Sequence, residues 1–237
     1  MQSILGGQFL GLYLHGSLAL GDFDPARSDI DFVVVTAGEL AAKKVPALAA
    51  MHARLATGRS KWGHELEGSY VPRQALRHYD PAAAVYPHIE RGGALRVEQH
   101  HSDWIVQRHV LREKGFAVAG PPPHTLLDPI PPATLRQAVL DLLWWWELQL
   151  EDTSRVEQSG YQAYAILTMC RILYTMEHGA VVSKPVAARW AQARLTARRA
   201  DLIERALHWQ PHEPLERLSE TLHFIRYTLH EVQPASP

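Results

Sequence analysis

Asp29 and Asp31 stand one residue apart at the head of an apolar run, Ile30–Thr36 (IDFVVVT). On a β-strand successive side chains alternate, so both carboxylates point to one face and Ile30 to the other. Two such charges about 4 Å apart repel by about 4 kcal/mol at an effective dielectric near 20. The pair therefore calls for a compensating cation or a raised pKa. Oxygen-only ligands suit a hard divalent ion such as Mg²⁺, which commonly bridges carboxylates and substrate phosphates. Upstream lies Gly16-Ser17, at the end of another apolar run. Glycine lets the backbone approach a ligand, and Ser17 opens a helical turn whose N–H groups can hold phosphate. A lone Gly-Ser or Asp-x-Asp is a weak signal. Strand, Gly-Ser, spacer, Asp-x-Asp and valine run together describe a grip for a triphosphate and its metals.

The elements that must position these residues follow from periodicity. Leu10–His15 and Ile30–Thr36 read as strands, each bounded by turn residues. Gly38–Thr57 has helical composition, with Pro46 expected to bend or split it. Glu65–Val71 reads as a third strand closed by Pro72, and Arg73–His78 as a short helix. Asp80–Gly93 reads as irregular, Leu95–Gln99 as a fourth strand, His101–Lys114 as a helix and Phe116–Ala119 as an edge strand. The Pro-rich stretch 121–132 (PPPHTLLDPIPP) admits neither helix nor central strand. It is expected to link a first domain, 1–120, to a second, 133–237. Beyond it helices are expected at Thr134–Leu150, Tyr161–His178, Pro185–Leu195, Ala200–Trp209 and Leu215–Val232. Ser183 is a candidate N-cap, with Pro185 in the first turn, and Gly179 a candidate C′ glycine.

Composition narrows the function classes. Hydrophobic residues at 46% and charged residues at 21% describe a folded chain, so wholesale disorder is excluded. The 24 Lys and Arg balance 25 Asp and Glu, a net charge of −1 without the basic surplus of a protein living on nucleic-acid backbone. No apolar run reaches the roughly 18 residues of a membrane span. A single cysteine, Cys170, forms no internal disulfide, and a cytoplasmic location is expected. The 14 histidines show no zinc-type spacing, and adjacent His100 and His101 would diverge by about 100° on a helix. Trp144-Trp145-Trp146 is read as packing that leaves one ring exposed, Arg194–Arg199 as a solvated helix junction, and Trp104 as packing under the sheet.

The stretch LYLHGSLALGDFDPARSDIDFVVV resembles the nucleotidyltransferase superfamily of the DNA polymerase β type, whose signature is Gly-Ser, Asp-x-Asp and a later third carboxylate. With LEGSYVP, VLREKGFAVAGPPPHTLLDPIPP and ILTMCRILYTMEHGAVVSKPVAARWA, the chain more narrowly resembles the streptomycin/spectinomycin adenylyltransferases from about Gly11 onward. The resemblance implies an α+β fold: an N-terminal catalytic domain with a mixed β-sheet flanked by helices, and a C-terminal α-helical bundle. Few residues precede Leu10 for the helix this family places before its first strand, so that helix is short or the chain begins late. Glu65 and Glu67 share one strand face, and spacing does not choose between them. The family motif, with its acid after a leucine, selects Glu67 as the third metal ligand and proton acceptor. Gly16, Ser17, Ser28, Arg171 and Lys184 are the implied nucleotide-binding residues, and Asp29, Asp31 and Glu67 the implied ligands of two Mg²⁺. ATP carries about four negative charges, which two such ions offset. Lys184 at a helix start opposes the helix dipole, which favours a ligand role.

The implied reaction is transfer of AMP from MgATP to a hydroxyl of a small, aminoglycoside-like acceptor, with release of pyrophosphate. A transferase acting on protein or RNA, and a nucleotide-binding regulatory module without catalysis, are the alternatives. The expected partners are ATP and a small-molecule acceptor, with neither membrane nor nucleic acid, on a monomer. Acceptor contacts are placed at Glu157 and Tyr161, the segment where the family uses acids to hold a polycation. Here Tyr161 stands where an acid is expected, and a phenol does not pair with ammonium as a carboxylate does.

Overall fold

A computed structural model describes residues 1–211 and 213–233, and divides the chain into two compact units, Met1–Pro129 and Ile130–Pro237. The first unit contains α1 (Gln2–Leu5), β1 (Phe9–Leu14), α2 (Gly16–Leu20), β2 (Ile30–Thr36), α3 (Val45–Ala56), β3 (Leu66–Pro72), α4 (Arg73–Arg77), β4 (Val85–Ile89), β5 (Arg96–Gln99), α5 (Asp103–Lys114) and β6 (Phe116–Ala119). The strands form one mixed sheet in the order β5-β4-β3-β2-β1-β6. β2 and β3 run parallel, and the other neighbours are antiparallel.

The valine run explains why β2 sits inside the sheet. Alternation sends Val33 and Val35 to one face, where they join Tyr13, Val71, Tyr86, Trp104 and Leu111 in a buried cluster. Phe32 and Val34 go to the other face, with Leu5, Leu48, Tyr70 and Ile89. A strand buried on both faces needs no polar alternation. Each such side chain contributes roughly 1.5–3 kcal/mol by leaving water. The acids sit where this burial runs out: Asp31 and Glu67, paired in the parallel register, are only half-buried at the strand starts.

Pro46 does not split a helix; it occupies the first turn of α3, where its missing N–H costs nothing, after a short 3₁₀ turn at Ala42–Lys44. Asp80–Gly93 is not irregular, because it carries β4, which contains Pro87 and continues the sheet from β3 to β5. Helix α5 starts at Asp103, so His100 and His101 lie in the strand-to-helix connection rather than on a helix. Within the Pro-rich stretch, Leu126 and Leu127 are buried in the first unit's core.

The second unit is all helical: α6 (Pro132–Leu140), α7 (Leu143–Glu151), α8 (Ser159–His178), α9 (Lys184–Gln192), α10 (Ala197–His208) and α11 (Leu218–Val232). The single helix expected over Thr134–Leu150 is two, separated where Leu142 N–H bonds Val139 C=O and tightens the last turn. Helix α8 is the centre, packed against α6, α9, α10 and α11, with Ala165, Ile166, Met169 and Cys170 fully buried. Burial pushes the Cys170 thiol up to about 12, so it is an inert core group. Gly179 ends α8 at φ 61°, its N–H bonding Thr175 C=O. Ser183 occupies the N-cap of α9, yet its side chain makes no capping bond. Trp146 is buried while Trp144 stays 46% exposed. None of the described helices is long and apolar enough to cross a membrane.

Candidate active site

The site begins where β1 ends. His15 N–H donates to Asp31 C=O at 3.1 Å, which swings the chain over β2 immediately before α2. Gly16 follows at φ +58°, and a Cβ there would overlap the Asp31 carboxylate, so only glycine lets the turn lie against that acid. Burial holds the His15 ring down to about 4, against a partial upward pull from Asp29, and the ring stays neutral. Ser17, the second residue of α2, has its Oγ buried and without a hydrogen-bond partner among the described residues.

The loop delivering Asp29 is braced from several sides. Asp24 N–H donates to Ser28 Oγ at 3.0 Å, and Arg27 Nε to Asp24 Oδ2 at 2.8 Å. Lys61 Nζ donates to Pro25 C=O at 2.9 Å, and Arg91 to Arg27 C=O at 3.0 Å. Ser28 Oγ is thus a brace for its own loop. Arg91 also binds Glu65, Nε to Oε2 at 2.5 Å, whereas Glu67 joins the aspartates. Ligand atoms of Asp29, Asp31 and Glu67 all lie within 4.8 Å of one another. Burial, then the charges of Asp29 and Asp31, push the Glu67 carboxyl up to about 7, while the Arg91 backbone N–H pulls it partly back.

Three half-buried carboxylates at this spacing fit a hard divalent cation. The orphaned Ser17 hydroxyl and the missing Cβ of Gly16 fit an anionic ligand beside it.

Next to Glu67 opens a cavity of about 500 Å³, whose lining includes Ser69, His88, Glu98, His100 and Asp103. It too lies wholly within the first unit. Ser69 was legible from the sequence as a face-mate of Glu67, two residues along β3. His88 and His100 were not, because strand pairing places them. Trp104 is buried under the same sheet face, and also borders the cavity.

The second unit holds the remaining candidates. Arg171 is half-buried on α8 between buried Cys170 and Ile172. Lys184 begins α9, its Nζ 4.5 Å from the centre of the Tyr164 ring. Tyr161 lies 5.5 Å from Tyr164 and 6.4 Å from Trp146, ring centre to ring centre. Glu157 is exposed, and its Oε1 accepts a 3.2 Å hydrogen bond from Thr153.

The fold and the acidic site define a nucleotidyltransferase-type catalytic domain, and the model of the family described as Nucleotidyltransferase domain matches residues 8–75. The model described as Aminoglycoside adenylyltransferase, C-terminal domain, matches residues 125–232. The chain thus joins a nucleotidyltransferase domain to the C-terminal domain of the aminoglycoside adenylyltransferase family. It is 30% identical over 124 residues to an aminoglycoside (3'') (9) adenylyltransferase of Klebsiella pneumoniae, covering 51% of this chain and 45% of that protein. The match thus spans about half the length of such relatives. A spectinomycin 9-adenylyltransferase of Staphylococcus aureus is 26% identical over 220 residues, 86% of this chain and 78% of that one. The crystal structure of spectinomycin adenyltransferase AAD(9) from Enterococcus faecialis with ATP and spectinomycin superposes with a TM-score of 0.77 at 19% identity, covering 97% and 94% of the two chains, a likeness of fold.

Proposed function

We propose that the protein transfers AMP from MgATP to a hydroxyl of a small hydroxylated acceptor. The observation that carries this reading is the convergence of Asp29, Asp31 and Glu67 to within 4.8 Å, beside the Gly16-Ser17 turn. In this reading the three carboxylates hold two Mg²⁺, which when bound neutralise the triphosphate and acidify the attacking hydroxyl. The Ser17 hydroxyl and the first N–H groups of α2 bind phosphate oxygens. Ser28 sets the loop that presents Asp29. Arg171 and Lys184 are the second unit's candidate phosphate-binding cations. Glu67 accepts the acceptor's hydroxyl proton, a role supported by its place beside the two aspartates. The acceptor oxygen bonds to the α-phosphorus as the bond to the β-phosphate oxygen breaks, and pyrophosphate leaves.

Acceptor chemistry is supported by charge. Glu67, Glu90, Glu98 and Asp103 line the cavity against Arg91, which is engaged by Glu65, so the space favours a cation. Glu157 and Tyr161 are the second unit's candidate acceptor contacts, Tyr161 offering a ring face and a hydroxyl rather than a charge. Spectinomycin, named for one such relative, and streptomycin are the first acceptors to try.

The test is pyrophosphate release with MgATP and these acceptors, wild type against the Asp29→Asn, Asp31→Asn double variant. The variant is expected to lose at least about a thousandfold in rate, the scale of removing catalytic charge stabilisation. Undiminished transfer by it would sink the assignment.

A further inference from the structure

We propose that His88 is an acceptor-specificity residue: it lines the cavity beside Glu67, is fixed by Ser69 and His100, and hydrogen-bonds a second hydroxyl of the acceptor. The proposal rests on the transferase reading and names what that same site recognises, a polyhydroxylated molecule.

The register places His88 of β4 opposite Ser69 of β3, two residues beyond Glu67 on the same face. Ser69 is 1% exposed and His100 9%, whereas His88 is only half-buried. Ser69 Oγ lies 2.9 Å from His88 Nδ1 and 3.4 Å from His100 Nε2. A hydroxyl has one proton to give, so it donates to one ring and accepts from the other. The shorter contact fits donation to His88 Nδ1, with His100 N–H donating to Ser69. His88 then carries its own proton on Nε2, the ring nitrogen not bound to Ser69. Burial lowers the pKa of both rings, consistent with neutral imidazoles in this relay. The T-shaped contacts of His100 with His88 at 5.6 Å and with Trp104 at 4.9 Å lock the arrangement from behind.

Two residues of strand separate Glu67 from Ser69 by about 6.5 Å. Glu67 and His88 line the same cavity, so a hydroxyl reacting at Glu67 and another bound by His88 belong to one polyhydroxylated molecule, not to a simple alcohol. A site that hydrogen-bonds an OH discriminates against analogues lacking it, because its own polar group is left unpaired.

The experiment uses the full chain labelled with ¹⁵N-histidine, titrated with spectinomycin, streptomycin and myo-inositol, His88 being assigned with His88→Gln. At least one of these cyclitols is expected to shift the His88 Nε2 resonance, with the free protein showing the Nε2–H tautomer. Ser69→Ala and His88→Phe are expected to weaken that ligand about tenfold, about 1.4 kcal/mol. Ser69→Thr and His88→Gln, which keep a hydroxyl and an N–H, should retain most of the affinity. No shift with any of the three overturns the proposal, as does unchanged affinity in Ser69→Ala and His88→Phe proteins of native thermal stability. If those two fail to fold, the comparison passes to Ser69→Gly and His88→Met, which likewise remove the hydroxyl and the ring N–H, under the same criterion. Pyrophosphate release separates the two readings. A cyclitol bound at His88 but never adenylylated with MgATP sinks the transferase reading alone. Turnover with an acceptor KM unaffected by His88→Phe sinks the His88 assignment alone.

Discussion

At Gly16 two constraints meet, a φ of +58° and the Asp31 carboxylate where a Cβ would be. Gly16→Ala is expected to lose most transfer activity and about 1–3 kcal/mol of stability, from strain in the left-handed region and displacement of Asp31. Steady-state kinetics and urea unfolding would check both halves, and a variant as active as wild type would remove Gly16 from the site. The carboxylates make a second residue-level prediction. Three acids within 4.8 Å repel one another, so Mg²⁺ should raise the midpoint of thermal unfolding by several degrees. The Asp29→Asn, Asp31→Asn protein should start nearer that raised midpoint and respond little to the ion. Asp29, Asp31, Gly16 and Ser17 were legible as chemistry because they lie close along the chain. Glu67 was reached only through resemblance, since strand periodicity treats it and Glu65 alike. What separates them is Arg91, from beyond β4, which binds Glu65.

Among the elements, the parallel pairing of β2 with β3 sets the site, because it puts Asp31 opposite Glu67. Gly68 lies between Glu67 and Ser69, and a Cβ there would overlap the Phe32 carbonyl and ring. Gly68→Ala is therefore expected to push the two strands apart, costing about 2–4 kcal/mol and lowering activity with it. Differential scanning calorimetry beside the pyrophosphate assay would check this; a stable but inactive protein would mean that the register survived and only the site moved. The apolar runs behind β1, β2 and β3 were readable because burial demands them. β4 was not, as Pro87 and the surrounding alanines of VYPHI's approach mimic a loop, and only pairing with β3 and β5 makes it a strand. The break between α6 and α7 likewise has no proline or glycine to announce it.

Across the whole molecule, buried histidines set the response to acid. His15, His52 and His100 are each less than 10% exposed, and burial holds all three near 4. Their folded pKa values lie below the unfolded value of about 6.5, so the unfolded chain binds more protons between these limits. The stability they contribute is complete above about 6.5 and is lost as pH falls through about 4, by up to about 3 kcal/mol per ring. Glu67, raised to about 7, works in the opposite sense and favours the folded state toward lower pH. Three rings outweigh one carboxyl, so stability in Mg²⁺-free buffer should fall on acidification from pH 7 to 4, measured by urea unfolding. His52→Phe, which removes the 2.7 Å contact with Tyr70 but keeps an aromatic ring, should flatten the slope. The sequence by itself determined the acidic motif, the valine strand it heads and the change from a sheet-forming half to a helical half, since each is written in residues near one another and in periods of burial. Tertiary structure alone showed why Glu67 rather than Glu65 joins the aspartates, and that Ser69, His88 and His100 meet in one cavity. Those choices depend on strand order and register, and these are fixed by the sum of many contacts between distant segments rather than by any local run.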